Sequence, residues 1–234
     1  MTEDVQMSQT FAADLHVFEE RVIDFALGAE QYLLSILQAL ETGKDQPARV
    51  VLEGEGAMRE AGSLLRAQGL ALQARYAPVG EALTRLVELQ QALIEFARVI
   101  EHCQRAARHI LTLAGTGLLI ELLHSGAAPV ARASSAMLSL LHALRRQVRS
   151  VILALVRPSY RQGQQLIAEA QVVGNYCAVA VVELQERIAA DPPAALSLTR
   201  LLFVVYELRC IHERLIAIGH GAHYSAAAPS SVAI

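Results

Sequence analysis

Glu101, His102 and Cys103 stand side by side, and a second such group recurs at Cys210, His212 and Glu213. Carboxylate, imidazole and thiolate are all ligand types for divalent metals. Neighbours on a helix point about 100° apart, whereas side chains sharing one ion sit three or four residues apart. By that spacing each cluster offers one strong ligand. Glu101 shares its face with Ala97 and then Gln104 or Arg105; His212 shares its face with Leu208 and then Leu215 or Ile216. Glu101 and His212 are therefore the candidate metal ligands. The competing reading makes them ordinary helix-face residues, with Glu101 paired to Arg98 or Arg105.

Other chemistry-bearing residues point less far. His220 and His223 lie at i and i+3 and could share an ion, or else mark a solvated helix end. Cys103, Cys177 and Cys210 lack Cys-x-x-Cys spacing and sit in apolar patterns, which suits reduced core thiols. No G-x-S-x-G elbow or phosphate-cradling glycine loop occurs, so nucleophilic catalysis finds no support. Gly54-Glu55-Gly56 is acidic and reads as a weak spot in a helix. Arg145, Arg146 and Arg149 read as a solvated face.

The two clusters belong to a repeated stretch. Glu95–Cys103 (E-F-A-R-V-I-E-H-C) aligns with Tyr206–Arg214 (Y-E-L-R-C-I-H-E-R), placing Arg98 on Arg209 and Ile100 on Ile211. The copies stand about 111 residues apart, near half the chain, which points to a duplicated unit.

Apolar spacing assigns the elements that carry them. Phe11, Leu15, Phe18, Val22, Phe25, Ala29, Tyr32, Ile36 and Leu40 follow steps of three and four, predicting a first helix over about 9–41. Such a helix is roughly 50 Å long. Gly43 stops it, and Asp45 and Pro47 open a second helix reaching about Ala74. A third, from near Val79, holds the first copy, and Gly115 and Gly117 weaken its far end. Ser125–Ser135, with Gly126 and Pro129, is the clearest break. Three more helices follow: about 131–156, 158–189 and 194–218, the last holding the second copy. V-V-G-N-Y-C-A-V-A-V-V in the fifth is apolar on most faces and is expected to be deeply buried. The expectation is an all-α chain of six long helices in two tandem, pseudo-symmetric three-helix bundles, 9–124 and 129–222, with a flexible tail over 223–234.

Composition narrows the function classes. Hydrophobic residues make up 53% of the 234 and charged residues 18%, with no Trp. A mean hydropathy of +0.34 leaves apolar surface to be hidden in a partner or a second subunit, so a homo-oligomer is expected. The formal charge of −3 argues against nucleic acid, which requires a basic face. Ile110–Leu123 contains Glu121 and two glycines and falls short of a bilayer span. The acidic N-terminus resembles neither a secretory signal nor a transit peptide, leaving the cytoplasm as the default.

Taken together, these blocks resemble the PhoU family of phosphate-uptake regulators. Ala39–Glu55 (A-L-E-T-G-K-D-Q-P-A-R-V-V-L-E-G-E) is similar to that family's junction of the first two helices, with an acid at Glu55. Leu93–Gln104 resembles its first metal motif, E-R-I-G-D-x-x-D, and Val205–Ala217 occupies the place of its second, E-R-I-G-D-x-x-x-N. Ala97 and Gln104 depart from the first motif. Leu208, His212 and Ile216 depart from the second, and Ala170 and Gly174 stand where acids are common. Most hard oxygen ligands are thus replaced, so no cofactor is expected and a bound divalent metal is disfavoured. The resemblance implies a non-enzymatic, often dimeric adaptor. Its implied partners are the ATPase of the phosphate ABC transporter and a membrane sensor histidine kinase. Two other functions stay open: a structural or oligomerising module of another assembly, and a metal-binding helical bundle using Glu101 and His212.

Overall fold

The computed structural model describes the backbone over residues 2–114, 128–157 and 159–227, and side chains over 9–114, 136–157, 159 and 161–220. Seven α-helices and one 3₁₀ turn account for nearly all of it, and no strand occurs among the described residues. They are α1 (Thr2–Thr42), α2 (Gln46–Glu53), α3 (Glu55–Tyr76), α4 (Gly80–Ala114), α5 (Ala128–Val156), α6 (Tyr160–Ala190) and α7 (Ala195–Ala227), with Pro192–Ala194 forming the 3₁₀ turn.

The apolar stripe of α1 does what its spacing requires. Phe18, Val22, Phe25, Ala29, Ile36 and Leu40 are buried, with Leu33 and Leu37 widening the seam. Gly43 ends the helix region at φ 67°, a left-handed conformation that glycine adopts without a Cβ penalty. Asp45 stands at the N-cap of α2 as expected, but its side chain caps nothing. Instead its Oδ2 accepts from Arg49 Nε, 2.9 Å away.

The expected second helix is divided at Gly54. Its N–H still reaches Val50 O at 3.2 Å and its carbonyl accepts from Met58 N–H at 3.1 Å. The hinge is therefore a loosened turn rather than a loop. Glycine suits the spot because a Cβ would meet the Tyr32 hydroxyl of α1, and that side chain would have to shift. At the other end of α3, Ala77 takes φ 41°, ψ 52°.

The later helices begin at clear caps. Ser159, in extended backbone, accepts from Gln162 N–H at 3.3 Å to open α6. Asp191 Oδ1 accepts from Ala194 N–H at 3.2 Å before α7. That helix continues to Ala227, well past the expected end near Ile218. α5 begins at Ala128, inside the stretch read as a break. Residues 115–127, with the expected weakening at Gly115 and Gly117, and 228–234 of the expected tail, lie outside the described residues.

Packing runs α1 against α2, α3 and α4, and α5 and α6 against α7 and each other. Two further contacts join these sets: an extensive one between α4 and α7, and a smaller one between α1 and α5. The buried residues form one continuous hydrophobic cluster.

One expectation fails at α6. Its run of valines is not deeply buried: Val172, Val179 and Val182 are 43%, 46% and 51% exposed. Leu166, Val173, Cys177, Ala180 and Leu184 turn inward, with Tyr176, Val181 and Ile188 partly buried against the core. The helix lies on the outside, so one face packs on α5 and α7 and the other meets solvent. By length and composition Arg161–Ala190 is also apolar enough to cross a membrane, though its inner face is spent on the helix packing.

Candidate functional site

The two motif copies meet each other. Glu95 of α4, 3% exposed, accepts from Arg98 Nη1 at 3.0 Å, from Gln91 Nε2 at 2.9 Å and from Arg214 Nη1 of α7 at 3.5 Å. Further along α4, Glu207 Oε2 of α7 accepts from His102 Nδ1 at 2.7 Å and from Arg105 Nε at 3.1 Å. Moving up α4 is moving down α7, so the helices cross antiparallel. The repeat is thus an interface built against its own copy. His109 stacks on Phe203 beyond it, ring centroids 5.4 Å apart.

A second set of charges ties α1 to α5. Arg149 Nε donates to Glu30 Oε1 at 3.2 Å and Arg145 Nη2 to Glu41 Oε2 at 3.2 Å. Arg85 of α4 pairs with Glu19 of α1 and also donates to Leu155 O of α5 at 2.9 Å. Arg145, half-buried, and Arg149 thus tie α5 to α1; Arg146 and Arg149 are nonetheless exposed, as the expected solvated face requires.

Glu101 stays outside both networks. Neither arginine expected beside it takes it as partner, since Arg98 goes to Glu95 and Arg105 to Glu207. It lines a cleft of about 190 Å³ between α1, α3 and α4 together with Glu55, Arg59, Arg66 and Gln104. Glu55 is already engaged, its Oε2 accepting from Arg108 Nη2 at 2.8 Å. Two carboxylates, one held by a guanidinium and both sharing the cleft with arginines, do not fit a hard divalent cation, which takes six or so oxygen ligands.

His212 is placed elsewhere, buried between α5, α6 and α7 at 5% exposure. Its Nδ1 donates to Gln147 Oε1 of α5 at 3.0 Å. Burial pushes its pKa below the ordinary histidine value, with Arg209 adding to the effect and Glu213 opposing it. Beside it lies a cavity of about 250 Å³ lined by Gln147, Val151, Leu166, Ala170, Leu215 and Ile216 among others. The structure brings Glu101 to Glu55, not to His212. Among the described residues no three metal-ligating side chains converge. The side chain of His223 lies outside the described residues, and His220 is exposed at the cavity.

All three cysteines are free thiols. Burial raises each pKa: strongly for Cys103, to about 11 for Cys177, and upward for half-buried Cys210. Thiols held protonated are poor nucleophiles.

The charge networks of the seam escape sequence reasoning, because residues about a hundred positions apart carry no local mark of their pairing. One signal was available. Charged residues inside an otherwise apolar repeat, such as Glu95 and Arg214, require partners if the repeat is buried.

No protein-family model and no curated protein matches the chain by sequence. Solved structures do. One is PhoU from Pseudomonas aeruginosa, with a TM-score of 0.79 and 17% identity, over 92% of this chain and 98% of that one. Another is the phosphate transport system regulatory protein PhoU from Streptococcus pneumoniae, with a TM-score of 0.70 and 16% identity, over 94% and 98%. The chain is similar to both in fold over nearly its whole length.

Proposed function

We propose that this chain, built on the fold of the PhoU structures, is a regulatory adaptor that restrains phosphate uptake and phosphate-starvation signalling through protein contacts. The observation that carries the reading is a match of fold over more than nine-tenths of both chains to a protein described as a phosphate transport system regulator. Two features support it. The exposed valines of α6 offer an apolar surface suited to a protein partner. The charged residues of the motif copies, Glu95, Glu207 and Arg214, are spent on holding α4 to α7, which suits a scaffold for protein contacts.

The proposal extends to architecture, partners and place. The chain is two tandem three-helix bundles, 9–124 and 129–222, related by the pseudo-symmetry of the motif copies. Its partners are the ATPase of a phosphate ABC transporter and a sensor histidine kinase, met in the cytoplasm by a homo-oligomer. It needs no metal for this.

A second reading, a module of some other assembly on the same fold, is favoured by one observation: the arginine-rich cleft at Glu101 does not suit a cation. Deleting the gene and measuring alkaline phosphatase at high phosphate separates the two. Raised activity supports the regulator. Fully repressed activity, in a host lacking a second such gene, moves the chain to the other assembly.

A further inference from the structure

Gln147 is 1% exposed, yet part of its side chain faces open space. Its Oε1 accepts from His212, which fixes the imidazole with its proton on Nδ1. No acceptor among the described residues receives a hydrogen bond from the Gln147 Nε2. That amide nitrogen is not one of the fully enclosed polar atoms lacking a partner; it borders the cavity and is open to whatever fills it. The wall around this amide is otherwise mostly hydrocarbon, from Val151, Leu166, Ala170, Leu215 and Ile216. Among the described residues no Asp, Glu, Lys or Arg lines the space; Gln171 and His220, both exposed, complete its polar lining.

We propose that this cavity between α5, α6 and α7 binds a small, uncharged, largely apolar molecule that presents one hydrogen-bond acceptor to the Gln147 amide. Size sets the class. About 250 Å³ exceeds the roughly 150 Å³ that encloses benzene and falls below the roughly 300 Å³ where drug-sized pockets begin. A single substituted ring or a short branched chain fits. Charge sets it further. A carboxylate or phosphate entering here would lose its water and meet no fixed cation. His212 supplies none, because burial favours its neutral form. Small residues at Ala170 and Gly219 keep the space open between α6 and α7. The proposal does not depend on the adaptor reading.

Acetophenone, ethylbenzene and benzoate share one ring and differ in the group offered. Each is titrated into the full chain while methyl NMR follows Val151, Leu166, Leu215 and Ile216. Acetophenone is expected to shift these methyls saturably. Ethylbenzene, lacking the acceptor, should bind about fivefold or more weakly, and benzoate should not saturate. Gln147→Leu should erase the preference for acetophenone over ethylbenzene. That change also strands the His212 N–H, so Ala170→Leu, which fills the space and leaves the amide pair intact, is the second variant; it should abolish both shifts. Absence of a saturable acetophenone shift overturns the site. Equal affinity for ethylbenzene overturns the role of the amide, and tighter binding of benzoate overturns the uncharged class. Shifts that survive Ala170→Leu place the ligand elsewhere and overturn the assignment.

Discussion

Glu95 is nearly buried and holds two guanidiniums, one on its own helix and one on α7. Replacing it with Gln keeps the shape and removes the charge. Arg98 and Arg214 are both partly exposed and can be rehydrated. The cost is therefore smaller than for a fully buried pair, about 1–3 kcal/mol, read as a lower urea midpoint with unchanged slope. His212 gives a pH signature. Its folded pKa lies below its ordinary 6.5, so the unfolded chain takes up the proton first as pH falls. The stability it contributes is complete above the unfolded value and is lost as pH descends through the folded one. His212→Gln should flatten that part of the stability curve below pH 6.5, measured by urea unfolding at a series of pH values. An equally steep fall in the variant would assign the loss to other groups. At this scale the sequence was half legible. It marked Glu101 and His212 as candidate metal ligands, one on each motif copy; the structure sets them apart, Glu101 in the cleft with Glu55 and His212 against Gln147. It could not mark Glu95, Glu207 or Arg149 as paired, because their partners lie on other helices far along the chain.

Helix boundaries followed from local chemistry and were mostly legible. Gly43 and Pro47 act within three or four residues of themselves, which is the range that a sequence displays. The break at Gly54 showed as a weak spot, but its cause, the Tyr32 hydroxyl of a different helix, did not. Gly54→Ala should therefore destabilise by about 1–3 kcal/mol through overpacking. Tyr32→Phe should recover part of the loss in a double-mutant cycle followed by thermal unfolding; simple additivity would show that the two do not meet. Ala77 is the converse case, an alanine in a left-handed cap where glycine is usual. Ala77→Gly should raise stability by about 0.5–1 kcal/mol, seen as a higher melting temperature. The outward face of α6 was illegible for a reason specific to composition. When small and apolar residues surround a helix, periodicity no longer says which side is inside.

Across the described residues, α1–α4 and α5–α7 are joined by charge as well as by apolar contact. Glu95 with Arg214 and Glu207 with His102 and Arg105 close α4 on α7. Glu30 with Arg149 and Glu41 with Arg145 close α1 on α5. The two similar stretches that the sequence displays thus lie where α4 and α7 hold the chain together. The antiparallel crossing has a consequence for connectivity. If the seam alone keeps the two helix sets in register, they should pair without being joined covalently. Residues 1–124 and 125–234, produced as two polypeptides in one cell, should then find each other and co-purify as a one-to-one complex with the helical circular dichroism of the intact chain. Glu95→Arg together with Glu207→Arg should disperse the pair. A contact surface written twice in one chain could thus serve as a joint between two chains.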